Sequence, residues 1–237
     1  MPGGLLNIIA YGNQNLILNG NPSKTFFKVI YSKYTNFGIQ KFRLDYEGLR
    51  ETDMNNDTIY KFKVPRNAEL LLDTCLVLNI PDIYSTILPP VKINDIWRPY
   101  NFRWVKNLGT TLIKNIKLII GTEIIQEFTG DYIKCMVERD YDIYKKEIFN
   151  IMTGNIDELH SPELFNNRNG KYPNVFDTKS QTPEPSIRGK KLYIPLNFFF
   201  SNNTKLALPL VCLQYSEVSI EVTLRPIKEL FIINNIQ

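Results

Sequence analysis

The 237-residue chain has one histidine, His160, and three cysteines, Cys75, Cys135 and Cys212. These side chains are the usual raw material for nucleophilic and metal chemistry. A lone imidazole cannot build a multi-histidine metal site or a histidine-based triad without partners. His160 lies in a polar stretch, which predicts a surface-loop position. The cysteines are odd in number, form no Cys-x-x-Cys pair and sit among apolar neighbours, as in "LDTCLVL". That setting predicts buried thiols. Glu138, Asp140 and Asp142 are spaced by two. On a helix such residues do not share a face, so they read as solvated charge. A pair of distant carboxylates could still serve a glycosidase. No GxxxxGK[ST] loop occurs, and no GxGxxG follows a strand. The sequons at Asn56 and Asn202 are short enough to arise by chance. Catalytic, cofactor-binding and metal-ligating residues are therefore all expected to be none.

Composition points the same way. There are 28 basic and 24 acidic residues, a net charge of +4, and no basic run longer than a pair. Nucleic-acid grooves need clustered charge, so no nucleic-acid partner is expected. No apolar run approaches the ~20 residues of a membrane-spanning helix, so no direct membrane insertion is expected. The start, "MPGGLL", lacks the charged and apolar regions of a secretory signal, and the expected compartment is a reducing cytosol. The 13 Tyr and 14 Phe favour strands.

The elements that would position any site are mostly strands. In "SEVSIEVTLR", Val218, Ile220, Val222 and Leu224 alternate with Ser219, Glu221, Thr223 and Arg225. The period of two puts one set in the core and the other toward water or a partner. "TIYKFKV" alternates likewise, with Tyr60, Phe62 and Val64 against Lys61 and Lys63. "ELLLDTCLVLNI", bounded by Pro65 and Pro81, reads as a strand buried on both faces. "IKNIKLIIGTEIIQEF" reads as a hairpin turning at Gly121-Thr122. "NFRWVKNLG" predicts a short helix stopped by Gly109. Thr129 is placed to cap one helix through "GDYIKCMVERDYDIYKKEIF", with Tyr132, Ile133, Met136, Val137 and Tyr141 as a core-contact stripe. Residues 153–190 have no period and predict a long surface excursion between strands. Many strands with helices only in the connections predict an all-β Greek-key sandwich.

Three blocks carry a family resemblance: "AYGNQNLILNGNPSKTFFKVIYSKYTNF", "WVKNLGTTLIKNIKLIIGTEIIQEFTGDYI" and "KLYIPLNFFFSNNTKLALPLVCLQYSEVSIEVTLR". In that order they resemble the N-terminal jelly-roll portion of the major capsid proteins of nucleocytoplasmic large DNA viruses, the mimivirus-like branch in particular. The resemblance implies a viral jelly-roll β-sandwich of two four-stranded antiparallel sheets, with short helices in the connecting loops. It implies a single domain over 1–237, the first roll of a double-jelly-roll subunit. Within it, 1–35 would be an N-terminal arm and first strands, and 226–237 a tail toward a second roll. Family members are longer, which leaves a truncated, split or shortened gene as alternatives.

The function implied is structural and not enzymatic: a late protein of the virion, assembled in host cytoplasm into an icosahedral capsid. Its partners would be itself, as a homotrimeric capsomer, neighbouring capsid proteins and a second jelly-roll chain. The expected assembly contacts are Leu5, Leu6, Ile8 and Ile9 in the arm and Ile227, Leu230, Phe231 and Ile233 in the tail. With no second roll in this chain, the tail cluster is expected to be an unsatisfied apolar face. A carbohydrate-binding jelly roll and a β-sandwich glycosidase are the rival readings.

Overall fold

The computed structural model describes residues 36–48, 51–85, 92–93, 96–97, 100–173, 175 and 184–234. Two units divide the chain, residues 1–43 and 44–237. In the first, 36–43 form no strand, and Phe37, Ile39 and Phe42 are exposed. The arm over 1–35, with Leu5, Leu6, Ile8 and Ile9, lies outside the described residues.

In chain order the second unit contains β1 (Thr58–Lys63), β2 (Leu70–Leu71), β3 (Cys75–Asn79), β4 (Lys92–Ile93), β5 (Ile96–Trp97) and β6 (Asn101–Trp104). Then come α1 (Leu108–Leu112), β7 (Ile113–Ile120), β8 (Glu123–Phe128), α2 (Gly130–Asp140), α3 (Ile143–Thr153) and α4 (Asp157–His160). The last elements are β9 (Lys191–Pro195), β10 (Leu208–Pro209), β11 (Val218–Leu224) and β12 (Phe231–Asn234).

The main sheet is antiparallel throughout, in the order β1-β11-β7-β8. The alternation read in "SEVSIEVTLR" holds: Val218, Ile220, Val222 and Leu224 are all buried. Ser219 departs from it, being buried on the opposite face between Lys63 and Ile119 on the flanking strands. Behind the inner face lies the larger core, where Ile116 and Leu118 meet Ile194, Leu196, Phe198 and Phe200. Phe198 stacks on Phe200 and meets Phe128 edge-on, each pair 5.3 Å apart, arrangements that aromatic rings favour.

The fold is mainly strands, but among the described residues the sheets are not two of four strands. Among the described residues one four-stranded sheet is joined by four two-stranded ladders, β2–β10, β3–β9, β4–β5 and β6–β12. Prolines end strands in two of these: Pro195 ends β9 and Pro209 ends β10, and neither has an N–H to extend a ladder. The run expected to be buried on both faces breaks into β2 and β3. In β3, Leu76 is buried while Cys75 and Val77 point outward. All three cysteines are exposed, so apolar sequence neighbours misplaced them.

The helices also differ from the sequence expectation. "NFRW" is strand β6, paired with β12, and the helical turn begins only after Asn107, which takes φ 55. Gly109 lies inside that turn rather than ending it. A Cβ there would stand 2.6 Å from the Thr153 carbonyl oxygen, and one on Gly130 would stand 1.9 Å from that of Thr110. These glycines let α1 lie against α3 and α2. Thr129 does cap α2, its hydroxyl accepting from the Tyr132 N–H at 3.3 Å. The single long helix, however, is two. Tyr141 and Asp142 are extended, and the Tyr141 ring turns in to meet Phe149 edge-on at 5.9 Å.

The described residues of the 153–190 stretch are more anchored than a surface excursion. Leu159 and Ile187 are fully buried and join Trp104, Leu108, Leu192 and Leu230 in a second core.

Candidate assembly surface

Reactive groups do not converge. Among the described residues no three of His, Cys, Asp and Glu are grouped to hold a metal ion. His160 closes α4 instead of lying in an open loop, and its side chain is only 12% exposed. Burial pushes its pKa below the ordinary value against the opposing pull of the Asp157 carboxylate, with Lys106 also lowering it. Its Nδ1 lies 3.1 Å from the Ser161 hydroxyl and its Nε2 3.6 Å from Asp157.

The carboxylates of α2 are exposed and paired with cations. Glu138 meets Lys146 at 2.8 Å, and Asp140 meets Arg139 at 2.6 Å. Hydrogen bonds from those cations hold both carboxyls below their usual range. These are surface ion pairs of the ordinary kind, worth little in stability.

The charged side chains on the outer face of the main sheet line up with one another, while Ile59 and Ile124 on the same face are exposed. Lys61, Glu221, Lys117 and Glu127 stand opposite one another across all four strands, a row of alternating sign. Lys117 and Glu127 lie 3.6 Å apart. At the end of the sheet Lys63 meets Glu217 at 2.9 Å; hydrogen bonding between them raises the lysine's pKa and lowers the glutamate's. Opposite charges on facing strands support a sheet that stays solvated on this side.

Further apolar side chains are exposed away from the main sheet. The tail named from the sequence splits into a covered part and an exposed part. Leu230 is 3% exposed, in the second core, and Phe231 stacks on Phe102 at 5.3 Å. Ile232 and Ile233 are both exposed, Ile233 at 52%, although Ile233 lies on the same side of β12 as Phe231, opposite Phe102. Ile227 is half-buried, and Ile236 lies outside the described residues. The unsatisfied tail is therefore smaller than expected, because β12 folds onto β6 of its own domain. Two further apolar patches carry no period that sequence reading could have separated from core. Val77 and Tyr193 are cross-strand neighbours exposed on the β3–β9 ladder. On α3, Ile143, Tyr144, Ile148 and Ile151 are all exposed. The described residues contain no helix long and apolar enough to cross a membrane.

Comparison with known proteins gives this surface its context. The family model described as "Major capsid protein N-terminus" matches residues 25–237. The chain is 29% identical to the major capsid protein of Chrysochromulina ericina virus, over 97% of this chain and 42% of that protein. It is also 29% identical to capsid protein 1 of Acanthamoeba polyphaga mimivirus, over 98% of this chain and 36% of that one. It thus spans roughly two fifths of the length of these relatives. Among solved structures, its fold is similar to the PBCV-1 virus capsid at a TM-score of 0.54, with 22% identity over 85% of this chain and 38% of that chain. The Faustovirus major capsid protein gives 0.56, with 14% identity over 87% and 46%. Nothing in these likenesses supports the carbohydrate-binding or glycosidase readings, and the family is one of structural proteins, not enzymes. The chain belongs to the major capsid protein N-terminal family of the large DNA viruses.

Proposed function

We propose that the chain is a structural component of an icosahedral virus capsid, acting as the first jelly roll of a double-roll subunit. The single observation that carries this reading is the family match across residues 25–237. The exposed apolar patches support it, since a soluble monomer rarely leaves several such surfaces uncovered.

In this reading the four-stranded sheet and the β3–β9 ladder are the two layers of the roll. Residues 1–35 serve as an arm, and 226–237 lead toward the second roll. The exposed Ile232 and Ile233 then meet that roll or a neighbouring subunit. Three copies form the capsomer, which is assembled in host cytoplasm and joins other capsid proteins. Neither nucleic acid nor direct insertion into a membrane is part of this role.

Immunogold labelling of thin sections of infected cells, with an antibody to this chain, tests the assignment. The expected result is label concentrated on the shells of mature particles. Label spread through the cell and absent from particles would overturn it.

A further inference from the structure

We propose that α3 is a docking face for a second copy of this chain, the two helices lying side by side and parallel about a two-fold axis. The inference rests on the reading that many copies of the chain stand together in a shell. It adds where copies from neighbouring three-copy capsomers touch, a two-fold contact having no place inside a three-fold ring.

The starting point is a helix that is apolar on two sides. Phe149 and Thr153 are buried and mark the side turned to the core. At about 100° per residue, Tyr144, Ile148, Ile151 and Met152 fall on an arc roughly 100° wide, centred about 130° from that side. Tyr144 is 76% exposed, Ile148 58% and Ile151 60%. A surface helix normally turns an arc of this width inward. Helix α2 follows that rule: it buries Ile133, Met136 and Val137 and exposes Asp131, Lys134, Glu138 and Arg139.

Three features select a second copy as the occupant. The arc carries no charge, so a two-fold contact, in which each patch meets its own like, sets no charge against itself within it. Its two flanks do carry charge, of opposite sign: Lys145 on one and Glu147 on the other, both exposed. Among the described residues neither has an ion-pair partner in the chain, whereas Lys146 between them is held by Glu138 at 2.8 Å. An axis parallel to the helices sets each Lys145 against the other copy's Glu147. The antiparallel arrangement sets Glu147 against Glu147, which costs rather than gains. Finally, the apolar arc exposes on the order of 500 Å². Two copies would bury on the order of 1,000 Å², near the lower bound for a specific interface. A contact of that size is weak alone and strengthened by repetition.

Sedimentation equilibrium on the whole chain, with circular dichroism to verify folding, decides the matter. The expected result is a reversible dimer. Ile148→Asp with Ile151→Asp should weaken it by about 100-fold or more, because charge is buried at the centre. Lys145→Glu alone, or Glu147→Lys alone, should weaken it by about tenfold, and the two together should return it to within about twofold of the starting value. The flank variants keep the proposal testable if the aspartates disturb folding. A chain that stays monomeric at millimolar concentration overturns the proposal, and so does a double charge swap that fails to restore the dimer. Association indifferent to every α3 variant also overturns it while leaving the capsid reading intact. Failure of that reading would show separately, as particles without label.

Discussion

Strand β11 and helix α3 both carry apolar side chains at regular spacing, yet they spend them differently. On β11 the apolar set goes inward, and the outer face contributes Glu221 to a charge row completed by Lys61, Lys117 and Glu127. Each side of that strand finds its partners within the chain. On α3 the core takes Phe149 and Thr153, while Tyr144, Ile148 and Ile151 are left to solvent. Regular apolar spacing therefore identifies a face that must be covered. It does not say whether the cover is the same chain or another.

The largest effect that could break this comparison is at the centre of β11. Ile220 is buried between β1 and β7, whereas Thr223 lies on the partly open outer face. Ile220→Ala should cost about 2–5 kcal/mol in denaturant unfolding, and Thr223→Ala well under half of that. Equal costs would mean that the inner and outer faces are wrongly assigned.

A middle-sized effect separates the covered start of β12 from its exposed end. Phe231→Asp should destabilise the domain by about 1–3 kcal/mol, since it removes the stack on Phe102 and puts charge at a half-buried site. Ile233→Asp should leave the unfolding midpoint nearly unchanged and raise the concentration at which light scattering detects association. A stability loss at Ile233 as large as that at Phe231 would show that the end of β12 is covered by the chain itself as well.

The smallest effect sharpens the account of the second core by pH. The Tyr172 hydroxyl donates to the Phe102 carbonyl at 2.9 Å, and burial pushes its pKa up to about 12 from 10.0. A raised phenol pKa means the neutral form is favoured in the folded state. Its contribution is full below pH ~10 and is lost as pH climbs toward ~12. Wild type should therefore lose more stability than Tyr172→Phe between pH 9 and 11.5, by about 1 kcal/mol or less. Parallel curves for the two proteins would place Tyr172 in contact with water.

Much of the fold could be read ahead of the structure wherever one local rule decided the outcome. The alternations at 58–64 and 218–225, the turn at Gly121-Thr122 and the Thr129 cap each depend on neighbours in sequence. What escaped depends on tertiary contact. The break at Tyr141-Asp142 follows from Tyr141 reaching Phe149 across it. "NFRW" became a strand because β12, more than 120 residues later in the chain, lies beside it. Leu159 and Ile187 are single apolar residues in polar surroundings, with no period to signal that they are buried. The same limit applies to the assembly surface. Ile233 could be named from the sequence, but Leu230 beside it proved to be core, and the α3 arc was indistinguishable from a core stripe until its exposure was seen.

The central claim is that the outward apolar patches are contact surfaces of a capsid subunit. Amide hydrogen exchange, compared between the isolated chain and the same chain in purified particles, tests it most directly. The account predicts slower exchange on assembly at 143–153 and 231–234, with little change at 218–224, whose amides are already held in the sheet. Unchanged exchange at both 143–153 and 231–234 in assembled particles would contradict it.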